Sequence, residues 1–295
     1  SLTSLLMTRR SLSLPAIVPL LAIEVGARVA QVAGGLWEAG ALLTDPRVLS
    51  GAAGTVLGAV ARGLASVRSP ASSSPLAGPV GRSRDLVWAR LPFEEVRRVA
   101  HAQSVTINDV VLAMCSSALR AYMVDNGSLP TDPLIAMVPV SMRLGNEADG
   151  NAVSAVMANL ATNDADPASR LSTLVESMRA SKNVIRGLRP LQALALGAAT
   201  IAPLAFMSIP GFVSFTPPQF NLIISNIPGP KQDMYWNGAK LDGVYPVSIT
   251  TSGNAINITI TSAGDHIGFG VLGARAQVPS LQRLLDHLEE GLVEL

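Results

Sequence analysis

The sequence predicts an α+β fold, a mixed sheet packed with helices and preceded by a helical segment. Three observations carry this. An apolar, β-branched run at 220–224 breaks into Ser225-Asn226 and then Pro228-Gly229-Pro230, the pattern of a buried strand ending at a strand tip. Ile256, Ile258 and Ile260 alternate with Asn257, Thr259 and Thr261, as in a half-buried strand. Stretches 167–187 and 278–295 instead repeat their apolar residues at helical spacing. Strands and helices mix without a strict βαβ repeat, and no internal repeat is visible.

Within 1–68, Ala- and Gly-rich apolar stretches carry isolated charges at Glu24, Arg28, Glu38 and Arg62, suggesting two or three helices. Ser, Pro and Gly then crowd 69–84, which reads as a linker. The expected organisation is therefore an Ala/Gly-rich helical segment at 1–68, a linker at 69–84 and a domain at 85–295. In that domain, 85–91 reads as a strand, and Pro92 with Glu94 and Glu95 opens a helix to Ala102. Residues 104–109 break and restart the chain. The next helix presents Val111, Met114, Cys115, Ala118 and Tyr122 on one face. Strands follow at 134–141 and 152–161. The helix at 167–187 is expected to turn Arg170, Glu176, Arg179, Lys182 and Arg186 outward. No charge occurs between Pro190 and Pro230; Pro203, Pro210, Pro217 and Pro218 break this span into pieces too short to cross a bilayer cleanly, which favours a buried helix and strand. A hairpin turning at 262–265 and a final helix burying Leu281, Leu284, Leu285, Leu288 and Leu292 close the chain.

Composition bounds the chemistry. The 295 residues are 48% apolar, enough for a sizeable core, and carry a net charge of +1 with both signs scattered. No single-sign field exists to attract nucleic acid, and the helix pair at 93–123, although it mimics a DNA reader, offers only Arg120 on its second helix. The lone Cys115 excludes an internal disulfide and a Cys-based zinc cluster, and reads as buried filler. His101, His266 and His287 show no ligand spacing, so no metal is expected; the last two read as exposed. No phosphate loop, dinucleotide fingerprint or nucleophile elbow occurs. What remains is Asn108-Asp109 at a helix start, either an N-cap or a rigid presentation of polar groups to a cleft. Beside it stand the Ser225-Asn226 tip and Arg143, a solvated edge charge or an anion contact.

Taken together, three motifs resemble the bacterial wax ester synthase / diacylglycerol acyltransferase family. They are Thr106-Ile107-Asn108-Asp109-Val110-Val111-Leu112-Ala113, then Val138-Pro139-Val140-Ser141-Met142-Arg143, then Ile224-Ser225-Asn226-Ile227-Pro228-Gly229-Pro230. The resemblance covers about 85–295 and implies a half-domain of the CoA-dependent acyltransferase fold, in which two α/β halves enclose a tunnel, with the helical segment at 1–68 as the crossover between the halves. It implies transfer of a fatty acyl group from acyl-CoA to diacylglycerol or a long-chain alcohol, with no cofactor. The family's general base is a His in His-His-x-x-x-Asp-Gly, and that motif does not occur here.

The expectation is therefore a truncated or processed chain. It lacks the catalytic half, is inactive alone, and needs an N-terminal half in cis or as a separate chain. Asn108, Asp109, Ser225, Asn226, Pro228 and Gly229 would form the tunnel wall, with Arg143 an anion contact. Expected partners are acyl-CoA, a lipid acceptor and a membrane or lipid-droplet surface, and the expected location is the cytoplasm or the periphery of those surfaces. The competing expectation is a non-catalytic lipid-binding or scaffold protein.

Overall fold

The computed structural model describes residues 74–78, 80–141, 153–186, 220–230 and 232–295. The readings at 1–68 and at 190–219, and Arg143, lie outside the described residues.

A short 3-10 turn, Pro75–Ala77, leads into strand β1 (Arg84–Pro92), helix α1 (Phe93–Ala102) and helix α2 (Ile107–Asp125). Strands β2 (Ile135–Ser141) and β3 (Val153–Asn159) precede helix α3 (Pro167–Arg186). Strand β4 (Leu222–Pro228), the small strands β5 (Tyr235–Trp236) and β6 (Ala239–Lys240), β7 (Ile256–Ala263), β8 (His266–Ala274) and helix α4 (Gln282–Val293) complete the order. The 3-10 turn, β5 and β6 are not among the expected elements; the others match the sequence expectation to within a few residues at each end.

The main sheet has six strands in the order β1-β8-β7-β4-β2-β3. Strand β4 runs parallel to both β2 and β7, and the outer pairs are antiparallel. Helix α2 lies at the centre of the core. Residues Val110 to Leu119 are all buried, rather than one face of the helix as its spacing suggested. A helix apolar all round must be enclosed, and each large side chain buried contributes about 1.5–3 kcal/mol. Neighbours enclose it closely: a Cβ added at Gly291 of α4 would sit 2.9 Å from the Ser117 Cβ. Cys115 is filler, its thiol pushed up to about 12 by burial and so inert.

Burial corrects two side chains. Arg170 does not face solvent with the other α3 charges; it is only 4% exposed. Its guanidinium donates to Ser117 Oγ (2.7 Å), Glu294 Oε2 (2.8 Å) and the carbonyls of Ala165 (2.9 Å) and Asp164 (3.2 Å). The polar stripe of α3 thus turns inward at its first turn, where α2 and the chain's end meet it. His287 is half-buried rather than exposed, because carboxylates of α2 and α4 flank its ring.

Replacing Arg170 with Met leaves the buried Ser117 hydroxyl, and the part-buried oxygens around it, without this donor and should cost about 1–3 kcal/mol. Glu294→Gln, at a half-exposed carboxylate, should cost under about 1 kcal/mol. Urea denaturation of both variants measures the difference, and equal losses would contradict the inward placement of Arg170.

Candidate functional site

The sheet brings two of the three motifs into contact. Thr106 caps α2: its Oγ accepts from the Asp109 N–H (3.2 Å), while Asp109 Oδ2 accepts from the Thr106 N–H (3.1 Å) and hydroxyl (2.7 Å). This reciprocal box satisfies orphan donors of the first turn and fixes where the helix begins. The cap is thus Thr106, three residues before Asp109, and not the Asn108-Asp109 pair itself. Asp109 is buried and spends its carboxylate on this box. Asn108, one residue earlier, is half-buried and takes no part in this box.

Pleating decides what meets Asn108. Leu222, Ile224 and Asn226 share the face of β4 that looks toward α2, and the first two are buried in the core. Asn226 Nδ2 donates to Asn108 Oδ1 at 3.3 Å. Two residues 118 positions apart therefore form one amide pair, where the carboxyl end of the central parallel strand meets the positive end of α2. Polar groups beyond the carboxyl ends of parallel strands are a common place for ligands in α/β sheets.

Ser225 points to the opposite face. It lies in register with Thr259 of β7, whose Oγ donates to Asn257 Oδ1 (3.1 Å). Ser225 and Asn226 thus serve different sides of the sheet. Asn257, Thr259 and Thr261 are 3%, 3% and 6% exposed, so this strand is buried on both faces, not half-buried as its alternation suggested. The reason lies next door. Thr259 and Thr261 pair with Gly270 and Gly268 of β8, and an extended strap of residues 243–250 crosses there. A Cβ at Gly270 would lie 1.8 Å from the Pro246 carbonyl oxygen, so only glycine lets the strap seat. Tyr245 of the strap packs its ring at 5.5 Å from that of Trp88.

Pro228 is exposed and ends β4 opposite Ser262. Gly229 is held close: an added Cβ would lie 2.1 Å from the Ser262 carbonyl oxygen. Beyond it, Pro230, Thr261 and Gly268 line a cleft of about 280 Å³ together with Arg90, Lys240 and His266. Its charges are largely matched. Lys240 pairs with Asp233 (2.9 Å), and His266 contacts Asp265 and lies 3.2 Å from Arg90. The hydrogen bond from His266 holds the Asp265 carboxyl below its ordinary value. Among the described residues no cluster of His, Cys, Asp or Glu has the makings of a metal site.

Sequence reasoning missed the buried polar strip of β7 and the Thr106 cap. The first had a signal in the Gly268-Phe269-Gly270 spacing, since two glycines on one face invite a covering segment. The second had one in Thr-x-x-Asp before an apolar run.

Family models match most of the chain. The wax ester synthase/diacylglycerol acyltransferase catalytic domain matches residues 13–111, and the WS/DGAT C-terminal domain matches residues 149–295. The chain belongs to this family. A protein of Mycobacterium tuberculosis (strain ATCC 25618 / H37Rv) named as a diacylglycerol O-acyltransferase is 48% identical over 217 residues, which is 73% of this chain and 48% of that protein. A protein of Mycobacterium bovis named in the same way is 47% identical over 218 residues, again 73% of this chain and 48% of that protein. Among solved structures, a wax ester synthase/diacylglycerol acyltransferase from Marinobacter aquaeolei VT8 is 36% identical with a TM-score of 0.67, over 81% of this chain and 55% of that one. The chain spans about half the length of the curated relatives it matches.

The catalytic-domain match corrects the expectation that this chain lacks the catalytic domain, is inactive for that reason and requires a missing N-terminal half. That expectation rested on the absent motif and on reading 1–68 as the crossover between two halves. The family's catalytic domain reaches through the segment read as a crossover and into the start of α2, so its pattern is present at 13–111 without His-His-x-x-x-Asp-Gly.

If the Asn108–Asn226 bond is formed in solution, a double-mutant cycle on Asn108→Ala and Asn226→Ala should give a coupling of about 0.5–1.5 kcal/mol. Urea midpoints of the four proteins measure it, and strict additivity would contradict the pairing.

Proposed function

We propose that this protein transfers a fatty acyl group from acyl-CoA to diacylglycerol or a long-chain alcohol. The observation that carries the reading is the Asn108–Asn226 pair, which joins two of the family's motifs at one point of the fold. In the reaction the acceptor's hydroxyl oxygen attacks the thioester carbonyl. A tetrahedral oxyanion forms and collapses, the carbon–sulfur bond breaks, and the acceptor's hydroxyl proton ends on the departing CoA sulfur as the free thiol. An oxyanion of this kind is stabilised by donors already in place. Asn108 accepts through Oδ1, which keeps both its Nδ2 hydrogens available, and Asn226 keeps one beyond the bond it makes. The first turn of α2 adds the positive end of its dipole. In this reading Asn108 and Asn226 position and stabilise. Asp109 holds the helix start, and Ser225, Pro228 and Gly229 shape the strand tip.

The location fits peripheral contact with a membrane or lipid droplet. Helix α2 alone among the described residues is long and apolar enough to cross a bilayer, but 72% of its apolar window is buried inside the fold. Surface contact would instead fall to exposed groups such as Trp88, Tyr245, Val247 and Ile249. The same burial leaves α2 no face to lay in a DNA groove.

The test is CoA thiol release with palmitoyl-CoA and either dioleoylglycerol or hexadecanol, with the ester product identified. Turnover should fall about 100-fold in Asn108→Ala and in Asn226→Ala, with both variants still folded by circular dichroism. Full turnover in both would contradict the assigned role. Stoichiometric acyl-CoA binding with no thiol release would favour a lipid-binding protein instead.

A further inference from the structure

We propose that His287 is a proton-dependent latch that fixes the C-terminal end of α2 to α4. Both nitrogens of its ring face carboxylates. Nε2 lies 3.0 Å from Asp125 Oδ2, and Nδ1 lies 2.9 Å from Glu290 Oε2. A neutral imidazole has one donor and one acceptor nitrogen, so one of these carboxylates would face a lone pair. Only the imidazolium donates to both.

The position of Asp125 makes the charge matter. It is the last residue of α2, at the negative end of the helix, where a carboxylate is unfavourable and a cation is favourable. Helix α4 supplies the cations: His287 in direct contact, and Arg283, whose Nη1 lies 3.7 Å from the same Asp125 oxygen. Among the described residues, the charged groups that bear on the ring are Asp125 from α2, Glu290 from α4 and, through Asp125, Arg283. The ring is 17% exposed, so its bonds are shielded from water while protons still reach it. Burial is the largest single influence and opposes the charge. The hydrogen bonds to Glu290 and Asp125 together overcome it and hold the imidazole above its ordinary value of 6.5.

The sign follows. A group whose folded value is raised contributes stability that is complete below the unfolded value of 6.5 and is lost as pH rises through the folded value. The latch is closed below pH 6.5 and opens as pH rises through the folded value, which lies above 6.5. Opening frees the end of α2 remote from Asn108.

Two measurements on the 295-residue chain test this. In an NMR titration, the imidazole signal that His287→Gln removes should titrate above pH 6.5, and Asp125→Asn should bring that midpoint down. In urea, the stability advantage of wild type over His287→Gln should be largest below pH 6.5 and shrink as pH rises through the midpoint found by NMR. Titration at or below 6.5, or an advantage independent of pH, would overturn the proposal. Should His287→Gln fail to fold, the ring is assigned by selective labelling, and the wild-type titration with Asp125→Asn at an exposed carboxylate still decides.

Discussion

Everything at the strand tip depends on the burial of α2. The helix contributes its apolar side chains to the core on all sides, and tertiary bonds anchor it along its length. Ser116 donates to the Leu160 carbonyl, Arg120 to the Thr162 carbonyl (2.8 Å) and Tyr122 to the Pro279 carbonyl (2.5 Å). A helix held this way can neither slide nor rotate without opening the core. Asn108 is therefore positioned by residues up to four turns away from it. The half-buried amide needs little local support, because the Thr106–Asp109 box fixes the start and the core fixes the axis.

The second constraint is the pleat of β4. Strand geometry sends Asn226 toward α2 and Ser225 toward the strap, so adjacent residues of one motif act on opposite faces. This divides the environment of the strand tip into an amide pair backed by the core and a polar strip of Ser225, Asn257, Thr259 and Thr261 on the far side. The strap's seat on Gly268 and Gly270 closes over that strip. Both sides converge at Pro228-Gly229-Pro230, where the absence of a side chain at Gly229 lets the chain turn against Ser262. The amide pair is thus held at a place where the backbone is closely packed.

Much of this was legible in the residues. The strand at 222–228, its proline stop and the amphipathic last helix follow from local pattern, because short-range sterics decide them. So did the two motifs that meet as Asn108 and Asn226, although their contact depends on parallel pairing that no local rule fixes. Arg170 misled because helical spacing reports which residues share a face, not what packs on that face. The polar residues of β7 misled likewise, since alternation implies water on one side only when nothing covers it. The missing His-His-x-x-x-Asp-Gly motif misled most. A single short motif was made to stand for a domain whose wider pattern is present at residues 13–111.

The central claim is that α2 is a rigid core element that fixes Asn108 against β4. Native-state amide hydrogen exchange tests it directly. The amides of residues 110–119 should exchange only through global unfolding, with the same free energy as those of the buried strands β7 and β8. Exchange of α2 at a markedly lower free energy, through local opening, would show that the helix does not hold the site.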